Sequence, residues 1–265
     1  MSERLSYKDE AAAGYERAFA HVTTHFIPFL LRAARLAPGM HVLDIATGTG
    51  LAAEASLAAV GPTGHVTAAD ISPQMAERAR ERLRGHANAT VVVEDGQALS
   101  VPDRSFDAVL CSLGLMFFPD PARGLAEFHR VLRPGGRAAV TVTTTVERSY
   151  NGRINRAIAR HARALDAANT RFFSLGGDPA SLRSLFDGAG FREVETTTEA
   201  HRFTLPSFDA YFAPFEGGGG SSGQAFIALP EEARRSVRDE LRREYGDTGG
   251  PIEIDVELRI ASGRR

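Results

Sequence analysis

A buried strand that runs directly into a glycine-rich turn and then a helix is the feature that most constrains this chain. The apolar run 41–45 has strand character. In the turn that follows, Gly48 and Gly50 tolerate positive φ and let the backbone approach a ligand closely. From Leu51 the residues are good helix formers, and a helix that starts at such a turn presents free N–H groups and a positive dipole. The segment therefore predicts an α/β fold with a site for a nucleotide-like or carboxylate-bearing cofactor.

The turn alone leaves two classes of cofactor open. Residues 48–53 also fit the dinucleotide fingerprint G-x-G-x-x-A. Asp70 follows at a distance of about 20 residues, where dinucleotide-binding folds place the acid that binds the ribose. An NAD(P)-dependent oxidoreductase with a Rossmann fold is therefore an alternative that the turn does not exclude.

Composition narrows the class of protein. The chain has 265 residues and a net charge of −2, which suits one large α/β domain and gives no basic surface for nucleic acid. The single cysteine, Cys111, excludes an internal disulfide and a cysteine metal site. Lys8 is the only lysine, so a P-loop nucleotide triphosphatase and a pyridoxal phosphate Schiff base are excluded. Because no signal peptide and no bilayer-spanning run are present, we expect a cytoplasmic protein without a membrane partner.

Alternating strands and helices define the expected organisation. They predict a doubly wound, seven-stranded, mostly parallel sheet with an antiparallel last strand, which is a Rossmann-like α/β fold. We expect an N-terminal helical cap (1–40), a core (41–202), an insertion (203–251) and a final strand that completes the sheet (252–265). The insertion contains the glycine run 217–223, which predicts a flexible segment.

Weaker patterns set the boundaries beyond residue 145. A helix is predicted near 152–168, and the sixth strand at about 191–199. In the last strand, apolar residues alternate with charged ones from Ile252 to Ile260. A period of two is typical of an antiparallel or edge strand.

Six short segments occur in an order and spacing that no single motif explains. They are Val42–Gly50, Ala69–Met75, Glu94–Leu99, Pro102–Asp107, Leu115–Asp120 and Arg130–Gly136. Together they resemble the class I S-adenosylmethionine (SAM) dependent methyltransferases, within them the subgroup related to ubiquinone and menaquinone C-methyltransferases. The resemblance covers most of the chain, and a dinucleotide enzyme has no reason to carry the last three segments. It implies SAM as cofactor, S-adenosylhomocysteine (SAH) as product, and methyl transfer to O, C or N of a small aromatic or quinone-like acceptor.

The same resemblance implies which residues hold the cofactor. The turn under the methionine moiety matches Ala46, Thr47, Gly48 and Gly50, with Asp44 towards the ammonium end. Asp70 matches the acid that binds both ribose hydroxyls, and a carboxylate can accept two hydrogen bonds at once. The adenine wall and edge match Ile71, Met75, Asp95, Gly96 and Gln97. Cys111 and Leu113 match the floor beneath the sulfonium.

Residues for the acceptor side come from outside these segments. We expect the N-terminal helices and the insertion to form the acceptor pocket, with Tyr15, Phe117, Tyr150 and Tyr211 in its walls, and to move when ligand binds. His21, His25 and His201 are the candidates for a catalytic base, and a packing role is the alternative for each. His21 and His25 are spaced like metal ligands on a helix, but no third ligand is apparent, so no metal is expected.

Two further functions remain open from the sequence. One is the dinucleotide oxidoreductase, and the other is a non-catalytic SAM-fold partner protein. The expected partner is a small-molecule acceptor, and the expected assembly is a monomer or a homodimer.

Overall fold

Seven strands form one sheet in the computed structural model, which describes residues 9–161, 173 and 175–265. The strand order is β3-β2-β1-β4-β5-β7-β6, and β7 alone runs antiparallel to its neighbours β5 and β6. The predicted fold class is therefore confirmed. In chain order the strands are β1 (His41–Ile45), β2 (His65–Asp70), β3 (Ala89–Val93), β4 (Phe106–Ser112), β5 (Leu132–Thr143), β6 (Arg192–Leu205) and β7 (Ile252–Arg264).

Helices cover both faces of this sheet, and local side-chain caps start several of them. Ser72 accepts a hydrogen bond from the Met75 amide, and Asp120 accepts one from the Arg123 amide, each just before a proline at the helix start. The described α-helices are α1 (Asp9–Ala33), α2 (Leu51–Val60), α3 (Pro73–Arg82), α4 (Pro121–Val131), α5 (Gly152–Ala159), α6 (Pro179–Gly188), α7 (Phe208–Glu216), α8 (Gly220–Ile227) and α9 (Glu231–Glu244). Within the described ranges, none of these helices combines the length and apolarity that crossing a bilayer requires.

The strand register brings the ends of β1, β2 and β4 to one edge of the sheet. Ile45 pairs with Ala69, and Asp44 pairs with Leu110. Residues that follow these strands therefore meet above the carboxyl edge, where open α/β sheets bind their ligands.

Two predicted boundaries differ from the structure. Strand β6 continues to Leu205 because its pairing with β7 extends to the contact between Leu205 and Ile252. The strand therefore crosses the predicted start of the insertion at residue 203. Helix α5 ends at Ala159, and residues 162–168 of the predicted helix lie outside the described part of the chain.

The glycine run 217–223, predicted as a flexible segment, is partly helical and packed in the structure. Residues from Gly220 onward form helix α8, and Gly219 and Gly220 are buried. A Cβ placed on Gly14 of α1 would lie 2.6 Å from the Gly219 Cα, so the two backbones are in direct contact. Because these glycines carry no side chains, the two helices can pack closely at this point. Composition alone does not distinguish such packing from flexibility.

A matched pair of substitutions tests this packing. In Gly219→Ala the new methyl would lie 2.8 Å from the carbonyl oxygens of Gly14 and Pro214, so we expect the free energy of unfolding to fall by about 1–3 kcal/mol. In Gly217→Ala the nearest atom, the Pro214 oxygen, would lie at an ordinary 3.5 Å, so we expect little change. Both glycines have φ values that alanine adopts freely. Urea unfolding compares them, and equal losses in the two variants would refute the close-packing account.

Candidate functional site

A cleft of about 1110 Å³, counting its open mouth, lies over the carboxyl edge of the sheet. Its floor comes from the ends of β1, β2 and β4, and helix α1 covers it with Tyr15, Phe19 and Val22. Beyond the floor it is walled mainly by apolar side chains, a composition and size typical of small-molecule sites. The remaining walls include Met116, Phe117, Phe118, Tyr150, Asn151, Gly220, Ser221, Val256 and Leu258.

The glycine turn forms one end of the cleft. Gly48 and Gly50 have φ values of 58° and 86°, which glycine adopts without strain. The Thr47 amide donates a hydrogen bond to the Ala69 carbonyl across the strand ends, at 3.0 Å. Gly50 is the N-cap of α2, so the first N–H groups of that helix begin at this turn. Gly48 lines the cleft, whereas Thr47 and Gly50 belong to the same turn but do not line the cleft.

Asp70 joins the turn to the next strand and also faces the cleft. Its carboxylate accepts a hydrogen bond from the Gly48 amide at 2.8 Å and another from the Ser72 amide at 2.9 Å. The residue is only 7% exposed, and burial raises the pKa of its carboxyl group while these amides lower it. A largely buried carboxylate at a cleft wall can accept further hydrogen bonds from hydroxyl groups of a ligand.

Asp44 lies fully buried at the base of the turn. One carboxylate oxygen accepts a hydrogen bond from the Thr47 hydroxyl at 2.6 Å. The Ala53 amide lies near enough to the carboxylate to lower its pKa, but Oδ1 makes no well-formed hydrogen bond in the described part of the chain. Burial is the main reason why the pKa of Asp44 rises to about 7, and the negative charge of Asp70 adds to the increase. Asp44 is not among the residues that line the cleft. A buried carboxylate oxygen without a hydrogen-bond partner is costly, and a cationic ligand group that reached it would relieve that cost.

The residues predicted at the adenine edge divide into two groups. Gly96 lines the cleft, and a Cβ there would lie 2.5 Å from the Phe118 ring, so only glycine fits. Asp95 accepts a hydrogen bond from the Gln97 amide at 2.9 Å, which stabilises the turn. The Gln97 side chain accepts a hydrogen bond from the Asp120 amide at 2.7 Å and therefore ties this turn to α4. Asp95 and Gln97 are not among the cleft-lining residues, and Glu94 is.

The floor follows β1 and β4. Ala46 and Leu113 both have positive φ, 54° and 56°, which is unusual for residues with a Cβ and occurs often at functional sites. They flank Gly114, where a Cβ would lie 2.5 Å from the Ala46 Cβ and 2.9 Å from the Cys111 sulfur. Cys111 is buried beneath this floor, and burial raises the pKa of its thiol far above the ordinary value. It supports the floor, since it does not itself line the cleft.

Five of the residues predicted for the adenine wall and the acceptor side line the cleft. They are Ile71 and Met75 on the adenine side, and Tyr15, Phe117 and Tyr150 on the acceptor side. Burial raises the pKa of both the Tyr15 and Tyr150 hydroxyls. Phe117 is 40% exposed, which places it at the mouth of the cleft.

Tyr211 is not part of the cleft wall. It is fully buried behind Tyr150, and its hydroxyl donates a hydrogen bond to the Tyr150 carbonyl at 2.6 Å. Tyr211 therefore positions the segment that carries Tyr150, a role that its place in the sequence did not reveal.

The three candidate histidines come together, but away from the cleft. His25 on α1 and His201 on β6 stack at 3.8 Å between ring centroids, and His21 contacts the rings of Tyr150 and Phe203. None of the three is among the residues that line the cleft. Partial burial lowers the pKa of His21 and His25, and His21 and His201 remain exposed at the surface. Their geometry supports the packing role, and the prediction that they are catalytic has no support from their positions.

Three further residues, Asn151, Val256 and Leu258, also line the cleft. The structure shows that the Asn151 amide donates to the Ser222 hydroxyl at 2.8 Å and that its carbonyl oxygen accepts from Ser149, a buried link to α8. Val256 and Leu258 show a period of two, which indicates a buried face of β7 but not which ligand faces it. In the described ranges, no cluster of three or more His, Cys, Asp or Glu side chains is arranged to hold a metal.

Comparisons with known proteins agree with this geometry. The methyltransferase domain family Methyltransf_25 matches residues 42–136. The demethylmenaquinone methyltransferase of Clavibacter sepedonicus is 36% identical over 176 residues, which cover 62% of this chain and 70% of that protein. The solved structure of BH2331 from Bacillus halodurans C-125 superimposes with a TM-score of 0.60 at 20% identity and covers 90% of this chain and 97% of its own. Phosphoethanolamine N-methyltransferase 2 of Haemonchus contortus, solved with SAH, gives a TM-score of 0.62 at 15% identity. The match covers 97% of this chain and 57% of that protein.

Proposed function

The chain belongs to the class I SAM-dependent methyltransferases related to demethylmenaquinone methyltransferase, and from that premise we propose that its acceptor is a small aromatic, quinone-like molecule. Transfer of a methyl group from SAM to a small molecule is the activity of this family, with SAH as the product. The relatives do not favour an NAD(P)-dependent oxidoreductase. A non-catalytic partner protein is disfavoured by an intact glycine turn with both buried acids, Asp44 and Asp70.

We propose that the glycine-turn end of the cleft holds SAM. Three features of the chain suit that ligand. The unpaired Oδ1 of Asp44 suits an ammonium group, the cleft-facing carboxylate of Asp70 suits ribose hydroxyls, and the N-terminus of α2 suits a carboxylate. Ile71, Met75 and Gly96 offer a flat apolar slot for an adenine ring. The role of Asp95 at the adenine edge stays a prediction.

The observation that carries the acceptor proposal is the wall opposite the glycine turn. Phe19, Val22, Met116, Val256 and Leu258 form an apolar surface that matches the faces of an aromatic ring and excludes water. Because the names of the relatives include C-methyltransferases of ubiquinone and menaquinone synthesis, we propose ring carbon as the methylated atom. The bond between sulfur and the methyl group would break as the ring C–C bond forms, and the hydrogen on that ring carbon would then leave as a proton.

SAM supplies an electrophilic methyl group, so the protein contributes mainly proximity and alignment, which are worth about 7–11 kcal/mol at best. Tyrosine hydroxyls are protonated at neutral pH, and burial, which raises the pKa of Tyr15 and Tyr150, disfavours their ionised forms further. Each hydroxyl is therefore suited to donating a hydrogen bond to an acceptor oxygen and orienting the ring. Helix α1 covers the cleft from above and keeps water away from the transfer.

A panel of acceptors tests the proposed substrate class. We expect SAH to accumulate when SAM and enzyme are mixed with hydroquinones or naphthohydroquinones, and not with aliphatic amines or carboxylic acids of similar size. Mass spectrometry detects the methylated product, and NMR locates the new methyl group on ring carbon. Turnover of the aliphatic compounds alone would overturn the aromatic assignment, and methylation only at oxygen would overturn the choice of carbon.

A further inference from the structure

We propose that Arg82 is a positioning residue that joins helix α1 to the glycine turn, so that cofactor binding and the closure of α1 over the cleft are coupled. This inference rests on the proposed function, in which the glycine turn holds SAM. Arg82 is the last residue of α3, its side chain is 22% exposed, and it lies outside the cleft.

One guanidinium group reaches three separate elements. The Nε of Arg82 donates a hydrogen bond to the Thr49 carbonyl in the turn at 2.7 Å. Its Nη1 donates to the Glu54 carboxylate on α2 at 3.1 Å, and its Nη2 donates to the Glu16 carboxylate on α1. A planar, permanently charged fork with five donors suits this arrangement, whereas the single ammonium of lysine does not.

The contact to Thr49 fixes the peptide plane at the centre of the turn. The carbonyl of that peptide accepts from Arg82, and its N–H, which belongs to Gly50, donates to the Thr47 carbonyl at 3.0 Å. The carbonyl and the N–H of this planar peptide are therefore both hydrogen-bonded, which fixes its orientation. The aliphatic part of Arg82 also closes the space beside Gly50, because a Cβ there would lie 3.4 Å from the Arg82 Cδ. The orientation of the Gly48 amide towards Asp70 depends on this arrangement of the turn.

The contact to Glu16 acts on the other side of the cleft. Glu16 follows Tyr15 on α1, and the Tyr15 side chain lines the cleft and is buried there, which raises its pKa. A link between Glu16 and Arg82 therefore holds the cleft-covering part of α1 in place. Because the same side chain holds the turn, a ligand that orders the turn also favours the docked position of α1.

The substitution Arg82→Met tests the coupling, with Arg80→Met as the matched control. Arg80 lies on the same helix, is more exposed, and pairs with Glu77 within that helix. We expect Arg82→Met to weaken SAH binding at least tenfold by calorimetry, and Arg80→Met to change it less than twofold. In hydrogen exchange, residues 14–26 should exchange faster in Arg82→Met and should lose the protection that SAH confers on them. Arg82→Lys should not restore either property.

The variant Glu16→Gln separates the two halves of the proposal, and it also serves if Arg82→Met does not fold. It leaves the bond to Thr49 intact, so we expect faster exchange in residues 14–26 without ligand and only a small loss of SAH affinity. Equal SAH affinities in Arg82→Met and Arg80→Met, or unchanged exchange of α1 in Glu16→Gln, would overturn the coupling. If the unmodified protein does not bind SAH, the proposed function fails, and exchange without ligand still decides whether Arg82 holds α1.

Discussion

Replacing Asp70 with alanine is expected to weaken SAH binding by about tenfold to more than a hundredfold. The change removes a cleft-facing carboxylate that we propose accepts from the ribose hydroxyls, and a charge-assisted hydrogen bond contributes about 1.5–3 kcal/mol. It also leaves the amides of Gly48 and Ser72 without their acceptor, so the turn itself becomes less ordered. Calorimetric titration with SAH measures the loss.

Asp103→Ala is the control for Asp70→Ala. Asp103 is an acid in the loop before β4, its side chain is 64% exposed, and it pairs with Arg130 outside the cleft. Surface ion pairs of this kind contribute about 0–1 kcal/mol to stability, so we expect unchanged SAH affinity. Equal affinities in the two variants would remove Asp70 from the cofactor site.

Replacing Asp44 with asparagine is expected to stabilise the ligand-free protein and to weaken SAH binding at the same time. Burial raises the pKa of Asp44 to about 7, so the folded state disfavours the charged form. The unfolded chain ionises Asp44 at its ordinary, lower pKa, and the folded protein therefore loses stability as pH rises from about 4 to 7. Asparagine avoids that loss, and the difference between the two pKa values corresponds to a gain on the order of 4 kcal/mol at pH 8 and almost none at pH 4.

Urea unfolding at several pH values, together with SAH titration at pH 8, checks both effects. We expect SAH affinity to fall at least tenfold in Asp44→Asn, because the proposed ammonium partner loses a charged acceptor. Asp103→Asn, at an exposed position, should show neither effect. A variant that binds SAH normally, or that is less stable than the unmodified protein at pH 8, would show that Asp44 is a structural residue.

The strand–turn–helix segment was predictable because its signals are local. The apolar run 41–45, the two glycines and the following helix formers determine that geometry without reference to the rest of the chain. The alternation in β7 likewise predicted its antiparallel pairing, since a period of two reflects one buried face. In the site, Gly48, Asp70, Met75 and Leu113 line the cleft as the resemblance implied.

The features that the sequence did not reveal share a different physical origin, which is contact between segments distant in sequence. The glycine run 217–223 has the composition of a flexible linker, and only its contact with Gly14 of α1 shows that it serves helix packing. The spacing of His21 and His25 places both on one side of α1, but the direction of that side depends on how α1 docks. It docks with these rings against His201 and Phe203 of β6 and with Tyr15 facing the cleft. Arg82 gave no sequence signal because its three partners lie on three different elements.

Calorimetric titration of the unmodified protein with SAM and SAH, run beside NADH and NADPH, distinguishes a methyl-donor site from a dinucleotide site. We expect saturable binding of SAM and SAH with one site per chain and dissociation constants on the order of micromolar, the scale common among enzymes and their substrates. We expect no saturable binding of either nicotinamide cofactor. Tight binding of NADH or NADPH without binding of SAM or SAH would contradict the assignment of the glycine turn, Asp44 and Asp70 to a methyl donor.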